Sequence, residues 1–233
     1  MGRVERASTD MFIAVSRAVA DRNKLEQHRL PFRVIPNFLP DEMAAVDERE
    51  PLPSPQPGGG YILFVGDLRR FKGVHTLLRA YERLTGPPPL VLAGRRCPDT
   101  PDLPAGARHL GTVPHASIPR LWRDALFGVA PSVGDEPFGI GALEGMLAGR
   151  PIIASAVGGL PEVVVDEHTG ILVPPGDEAA LAAAMQRMLD NSGLRTRMGQ
   201  AGARRAEHFR ARNVVPRIED VYSHVSAVGR PVL

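Results

Sequence analysis

Residues 61–84 read YILFVGDLRRFKGVHTLLRAYERL: a short apolar run, a turn bounded by Gly66 and Gly73, and a segment with a helical pattern. The same alternation continues along the chain. LVLAG and ARHLG are followed by IPRLWRDA, FGVAP by FGIGALEGMLAG, PIIAS by GLPEVVV, and GILVP by EAALAAAMQRMLD. Alternation of this kind predicts a mostly parallel sheet with helices on both faces, because each crossover helix packs back onto the sheet. The apolar runs lack a clean period of two, as strands covered on both faces should. The expected fold is therefore α/β, a doubly wound Rossmann-like parallel sheet over residues 61–205, with a C-terminal helix and tail over 206–233. Residues 51–60 (PLPSPQPGGG) cannot form the interior of a helix or strand and read as a linker. Ahead of it, MFIAVSRAVADRNKL reads as a strand and helix and FRVIPNF as a further short strand. Two strands and a helix cannot cover both faces of a sheet, so residues 1–50 read as the remnant of a preceding α/β domain.

The 233 residues are 43% apolar and 23% charged, ordinary for a globular protein with a proper core. No apolar run approaches the roughly 20 residues of a membrane span, and the N-terminus makes no convincing signal peptide, so a cytoplasmic protein is expected. Cys97 is the single cysteine, which excludes an internal disulfide framework and a multi-cysteine metal site. A net charge of +2 is too small to argue for nucleic acid. Between Arg195 and Arg217, however, there are seven arginines and one acid, Glu207. That run reads either as a solvated helical face or as a basic patch for a peripheral membrane contact or an anionic acceptor.

In open α/β sheets ligands bind outside the carboxyl ends of the strands, so the turns there carry the functional question. Neither a G-x-G-x-x-G after a strand nor a Walker-type G-x-x-x-x-G-K-[ST] occurs. The turn GDLRRFKG gathers Arg69, Arg70 and Lys72, either as a basic surface loop or as donors to an anionic ligand. Lys72 is one of only two lysines against 26 arginines, a weak hint of a phosphate contact. The turn DEPFGIGALE (135–144) places Glu136 in a loop and Glu144 in the second turn of the helix that follows. Between them, the backbone N–H groups near Phe138, Gly139 and Ile140 lack intrahelical partners and attract phosphate. Carboxylates repel phosphate but accept hydrogen bonds from sugar hydroxyls. Their separation, roughly 10 Å by helix rise, is about the length of a diphosphate link and fits a nucleotide-sugar. The competing reading makes Glu136 a partner of the helix dipole and Glu144 an exposed helix residue. The turn SAVGGLPEVV (155–164) reads more readily as a structural strand-to-helix connection than as a sugar contact. His75, His109, His115 and His168 read as surface or loop residues, and Trp122 as a core filler.

The ordered set FVGDLRRFKGVHTLLRAYERL, LGTVP, APSVGDEPFGIGALEGMLAGRPIIASAVGGLPEVV and TGILVPPGDEAALAAAMQRML resembles the carboxyl-terminal half of group 1 glycosyltransferases, the family-four retaining enzymes of GT-B fold. The resemblance covers about residues 11–222. It implies that Glu136 contacts the donor sugar, Glu144 holds the nucleotide ribose, and the backbone at Phe138, Gly139 and Ile140 lies by the sugar and diphosphate. It further implies that Lys72 binds the leaving diphosphate. Where the family often has an arginine directly after the strand-ending glycine, this chain has Asp67, which leaves Arg69 or Arg70 to substitute. Neither a metal nor a cofactor is implied. The substrate would be a UDP-, GDP- or ADP-sugar, the second substrate a hydroxyl acceptor, and the partner a separate amino-terminal domain or subunit. A nucleotide-sugar-binding module without catalysis of its own is the alternative.

Overall fold

A computed structural model describes residues 9–42, 60–134 and 136–227. The expected linker lies outside the described residues apart from Gly60. Six strands, β3 (Tyr61–Val65), β4 (Leu90–Ala93), β5 (Ala107–Gly111), β6 (Ala125–Ala130), β7 (Ile152–Ser155) and β8 (Gly170–Val173), form one sheet in the order β5-β4-β3-β6-β7-β8. Every neighbouring pair is parallel. The order reverses between β3 and β6, which is the switch point of a doubly wound α/β sheet, as the alternation predicts.

The strands explain why both faces must be covered. Ile62 and Phe64 of β3 turn to one side with Leu90, Leu92, Phe127 and Ile153, while Tyr61 and Leu63 turn to the other with Val91, Ala93 and Ile152. Three helices, α2 (Val74–Glu82), α6 (Glu178–Asp190) and α7 (Ser192–Ala206), contribute Leu77, Tyr81, Met185 and Met198 to the first side. The second is covered by α3 (Ile118–Asp124), α4 (Ile140–Leu147) and α5 (Leu160–Val163). Trp122 of α3 fills that core, and two glycines make room for it. A Cβ at Gly128 or Gly145 would lie 2.5 or 2.8 Å from its ring.

The N-terminal piece is a strand, helix and strand. The strands β1 (Phe12–Ala14) and β2 (Phe32–Val34) pair in parallel, and α1 (Arg17–Arg22) packs on them through Ala14, Ala20 and Leu25. This piece is keyed to the large sheet by polar contacts. Ser16 Oγ donates to the Pro137 carbonyl at 2.7 Å, and the Glu162 carboxylate accepts the Arg17 and Ala18 N–H groups at 2.9 and 3.1 Å. The last helix, α8 (Ala211–Ala227), returns to it: Leu39 exchanges backbone hydrogen bonds of 2.9 Å with Phe209 and Ala211.

The arginine-rich run is largely committed to this framework. Arg195 donates to the Leu189 carbonyl, Arg205 to Val163 and Glu162, Arg210 to Pro40 and Arg217 to Val34, while Arg212 pairs with Asp41 and Glu207. Guanidinium groups that satisfy carbonyls at helix ends and chain crossings are structural ties. No helix among the described residues is long and apolar enough to cross a membrane.

Candidate functional site

Two adjoining cavities open at the carboxyl ends of the strands, on either side of the end of β3. One, of about 370 Å³, is lined by Lys72, Ser132, Glu136, Gly139 and Ile140, with Asn37 reaching in from the N-terminal piece. The other, of about 460 Å³, is lined by Asp67, Arg95, Thr112, Val113 and His115. Val65, Gly66 and Glu144 line both. The floor is therefore the end of the central strand, and Glu144 stands at the passage between the two spaces.

The smaller cavity owes its shape to close backbone approaches. Lys72 ends a short 3₁₀ turn (Arg70–Lys72), and Gly73 follows with φ 76°. A Cβ there would sit 1.8 Å from the Pro131 carbonyl oxygen, so only glycine lets this turn lie against the end of β6. Lys72 Nζ then reaches Glu136 Oε2 at 2.6 Å, and the Ser132 hydroxyl donates to the same oxygen at 3.3 Å. The loop that carries Glu136 is gripped from behind by the 155–164 turn. Gly159 N–H donates to the Glu136 carbonyl at 2.8 Å, and a Cβ on Gly158 would approach that same oxygen to 2.1 Å. The turn's glycines are thus a structural connection that shapes the cavity wall.

Gly139, at φ 103°, precedes α4, whose first internal bond runs from Leu143 N–H to the Gly139 carbonyl. The N–H groups of Ile140, Gly141 and Ala142 consequently have no partner within the helix and face the cavity end of the dipole. Ile140 is exposed at the mouth. Phe138 contributes differently: its ring is buried and meets Phe209 edge-on, with centroids 5.8 Å apart.

Glu144 is 7% exposed, which removes the reading of an ordinary exposed helix residue. Burial pushes its carboxyl above the usual range, and a hydrogen bond from His115 partly offsets this. His115 Nε2 lies 3.0 Å from Glu144 Oε1. The indole N–H of Trp122, with no other partner, approaches the carboxylate from the inner side, short of full hydrogen-bond geometry but near enough to favour the anion. His115, expected to be a surface residue, is indeed exposed, yet it belongs to the site.

Lys72, Glu136, Glu144, Phe138, Gly139 and Ile140 are thus brought together. Arg69 and Arg70 are not: both are exposed and neither lines either of these two cavities. Arg69 leans on Asp67 (Nε to Oδ2, 3.6 Å), and the backbone N–H of Arg70 donates to Asp99. The guanidinium that does line the larger cavity is Arg95, paired with Asp67 at 2.7 Å. That contact is the main reason the Asp67 carboxyl lies below its ordinary range. Arg95 follows β4 directly after Gly94, so the rule of strand carboxyl ends was the signal that could have found it. Among the described residues no group of three His, Cys, Asp or Glu is placed to hold a metal ion.

Comparison with known proteins agrees with the fold. Residues 59–191 match the family described as glycosyl transferases group 1. The chain is 34% identical over 162 residues to a glycogen synthase of Mycobacterium tuberculosis (strain ATCC 25618 / H37Rv), covering 65% of this chain and 39% of the relative. It is 30% identical over 187 residues to a D-inositol 3-phosphate glycosyltransferase of Corynebacterium aurimucosum, covering 73% and 44%. It therefore spans less than half the length of these relatives. Among solved structures, sucrose-phosphate synthase from Thermosynechococcus elongatus aligns with a TM-score of 0.79 at 28% identity, over 97% of this chain and 61% of the other. HepE of Anabaena, in complex with UDP and glucose, shares the fold with a TM-score of 0.81 at 22% identity, over 95% and 65%.

Proposed function

The chain belongs to the glycosyl transferases of group 1, and from that membership we propose that it supplies the donor-binding half of a retaining GT-B enzyme, which transfers a sugar from a nucleoside-diphosphate-sugar to a hydroxyl acceptor. One observation carries the reading: Lys72, the free end of α4, Glu136 and Glu144 converge on a cavity at the switch point of the sheet. That a structure of the same fold holds UDP and glucose supports the choice of ligand class.

In this reading the diphosphate lies over the N-terminus of α4 and beside Lys72. Glu144 accepts hydrogen bonds from the ribose hydroxyls, and Glu136 from the hydroxyls of the sugar. When the bond between the sugar and the diphosphate breaks, negative charge gathers on the diphosphate. The Lys72 ammonium, held beside Glu136, and the free N–H groups at Ile140 and Gly141 border the same cavity and would stabilise that charge. Glu136 positions the sugar, and its contact with Lys72 holds that ammonium at the cavity wall.

Calorimetric titration with UDP-, GDP- and ADP-sugars and the free nucleotides tests this. Binding of at least one conjugate is expected. Glu144→Ala should weaken nucleotide and conjugate alike, and Glu136→Ala the conjugate only, by about ten- to a hundredfold for a lost charge-assisted hydrogen bond. Silence across the panel sinks the donor site. Equal losses of nucleotide and conjugate with Glu136→Ala would remove the division of roles.

A further inference from the structure

Glu144 is an unusual choice for a position so well shielded, since a buried carboxylate without donors is costly. A carboxylate has about four lone-pair sites. One donor is in place, His115 Nε2 at 3.0 Å from Oε1, and the Trp122 indole N–H approaches without completing a hydrogen bond. Lone-pair sites therefore remain for the two adjacent hydroxyls of a ribose. His115 precedes α3 in a short 3₁₀ turn (His115–Ser117), and Trp122 belongs to α3 itself, so one segment carries both groups that approach this residue of α4. His115 is 81% exposed at its side chain, whereas the carboxylate it touches is 9% exposed. The imidazole stands between solvent and the buried oxygen.

We propose that His115 is a positioning residue of the donor site, which fixes the Glu144 carboxylate so that its free lone-pair sites meet a cis-diol. The inference rests on the donor-site reading above and goes beyond it in assigning a residue that acts through Glu144. The acid side of nucleotide binding follows from the same contact. Burial raises the Glu144 carboxyl and the His115 hydrogen bond lowers it, so the anion needed for the diol is lost as pH falls, and lost earlier without His115. The other charged groups facing this space are Asp67 at the end of β3, Arg95 at the end of β4, Lys72 and Glu136 in the adjoining cavity, and Glu42, which lines a third cavity with His115, Trp122 and Glu144. Asp67 and Arg95 are paired with each other, as are Lys72 and Glu136. His115 is the group that contacts the carboxylate.

The test measures the affinity of the intact chain for UDP, GDP and ADP and for their 2′,3′-dideoxy analogues between pH 5 and 8.5. In His115→Ala the acid limb of binding is expected to move up by about half to one pH unit, with affinity on that limb about three- to tenfold weaker, one pH unit being a tenfold change. His115→Gln, which keeps an N–H donor, recovers most of the loss near neutrality. The dideoxy analogues, lacking the diol, bind equally to wild type and both variants. Without ligand, the Glu144 carboxyl carbon followed by NMR titrates at higher pH in His115→Ala than in wild type. An unmoved limb and carboxyl titration in His115→Ala, or an equal loss for the dideoxy analogues, overturns the role of His115 alone. Failure of wild type to bind any of the three nucleotides overturns the donor reading and this inference with it.

Discussion

Two glycines with nearly the same backbone conformation separate the cost of a left-handed turn from the cost of shaping the cavity. Gly158 has φ 58° and Gly86 φ 57°, but a Cβ on Gly158 would meet the Glu136 carbonyl oxygen at 2.1 Å, whereas one on Gly86 meets nothing within 4 Å. Alanine at either position bears the left-handed penalty of about 1–2 kcal/mol. Only at Gly158 must the backbone also yield, by about 1 Å, which for a packed interior costs about 1–3 kcal/mol more. Gly86→Ala should therefore lose about 1–2 kcal/mol of stability and Gly158→Ala about 2–5 kcal/mol, both read from urea unfolding with unchanged m-values. Because the displaced atom is the Glu136 carbonyl, Gly158→Ala should also weaken nucleotide-sugar binding more than binding of the free nucleotide, while Gly86→Ala leaves both intact. If Gly158→Ala is no less stable than Gly86→Ala, the close approach does not constrain the loop and the reasoning fails.

Lys72→Ala removes the only side-chain cation facing the proposed diphosphate position in the smaller cavity among the described residues. It should weaken nucleoside diphosphates about ten- to a hundredfold while changing nucleoside binding little, as measured by calorimetry. Glu144→Gln replaces a buried group whose ionisation opposes folding. The folded carboxyl lies above its unfolded value, so its contribution to stability is present below the unfolded pKa and lost as pH rises through the folded one. The variant should thus be more stable than wild type at neutral pH, by about 0.5–2 kcal/mol, with the gain shrinking toward acid and nucleotide affinity lost throughout. Unfolding curves at pH 4 and pH 7.5 check the sign.

The parallel sheet was legible because YILFV, LVLAG, FGVAP, PIIAS and GILVP are apolar on both faces and bounded by glycine or proline, a pattern that only a sandwiched strand requires. Lys72, Glu136 and Glu144 stood out because they flank turns after such strands. The rest depends on contacts that no local pattern encodes. His115 meets Glu144 across 29 residues, and Arg95 meets Asp67 across 28, the second pair by way of neighbouring strand ends. The arginines of 195–217 looked like a charged surface because composition counts charges but not the carbonyls that await them. Arg205, for instance, reaches back 42 residues to Val163. Phe138 belongs to the cavity by its backbone, but its ring is committed to Phe209, a split that sequence alone does not display.

The hydrogen bond from Ser16 to the Pro137 carbonyl joins residues 121 positions apart, and the contacts of Arg17 and Ala18 with Glu162 are longer still in sequence. Contacts at such separation form only after the intervening loop has closed, which makes them slow to establish. The wall beside Glu136 is accordingly a late product of folding. A growing chain that has emerged only as far as β6 already contains Lys72, yet has neither its acidic partner nor the turn that grips it. The capacity to hold a ligand arrives with the completed fold.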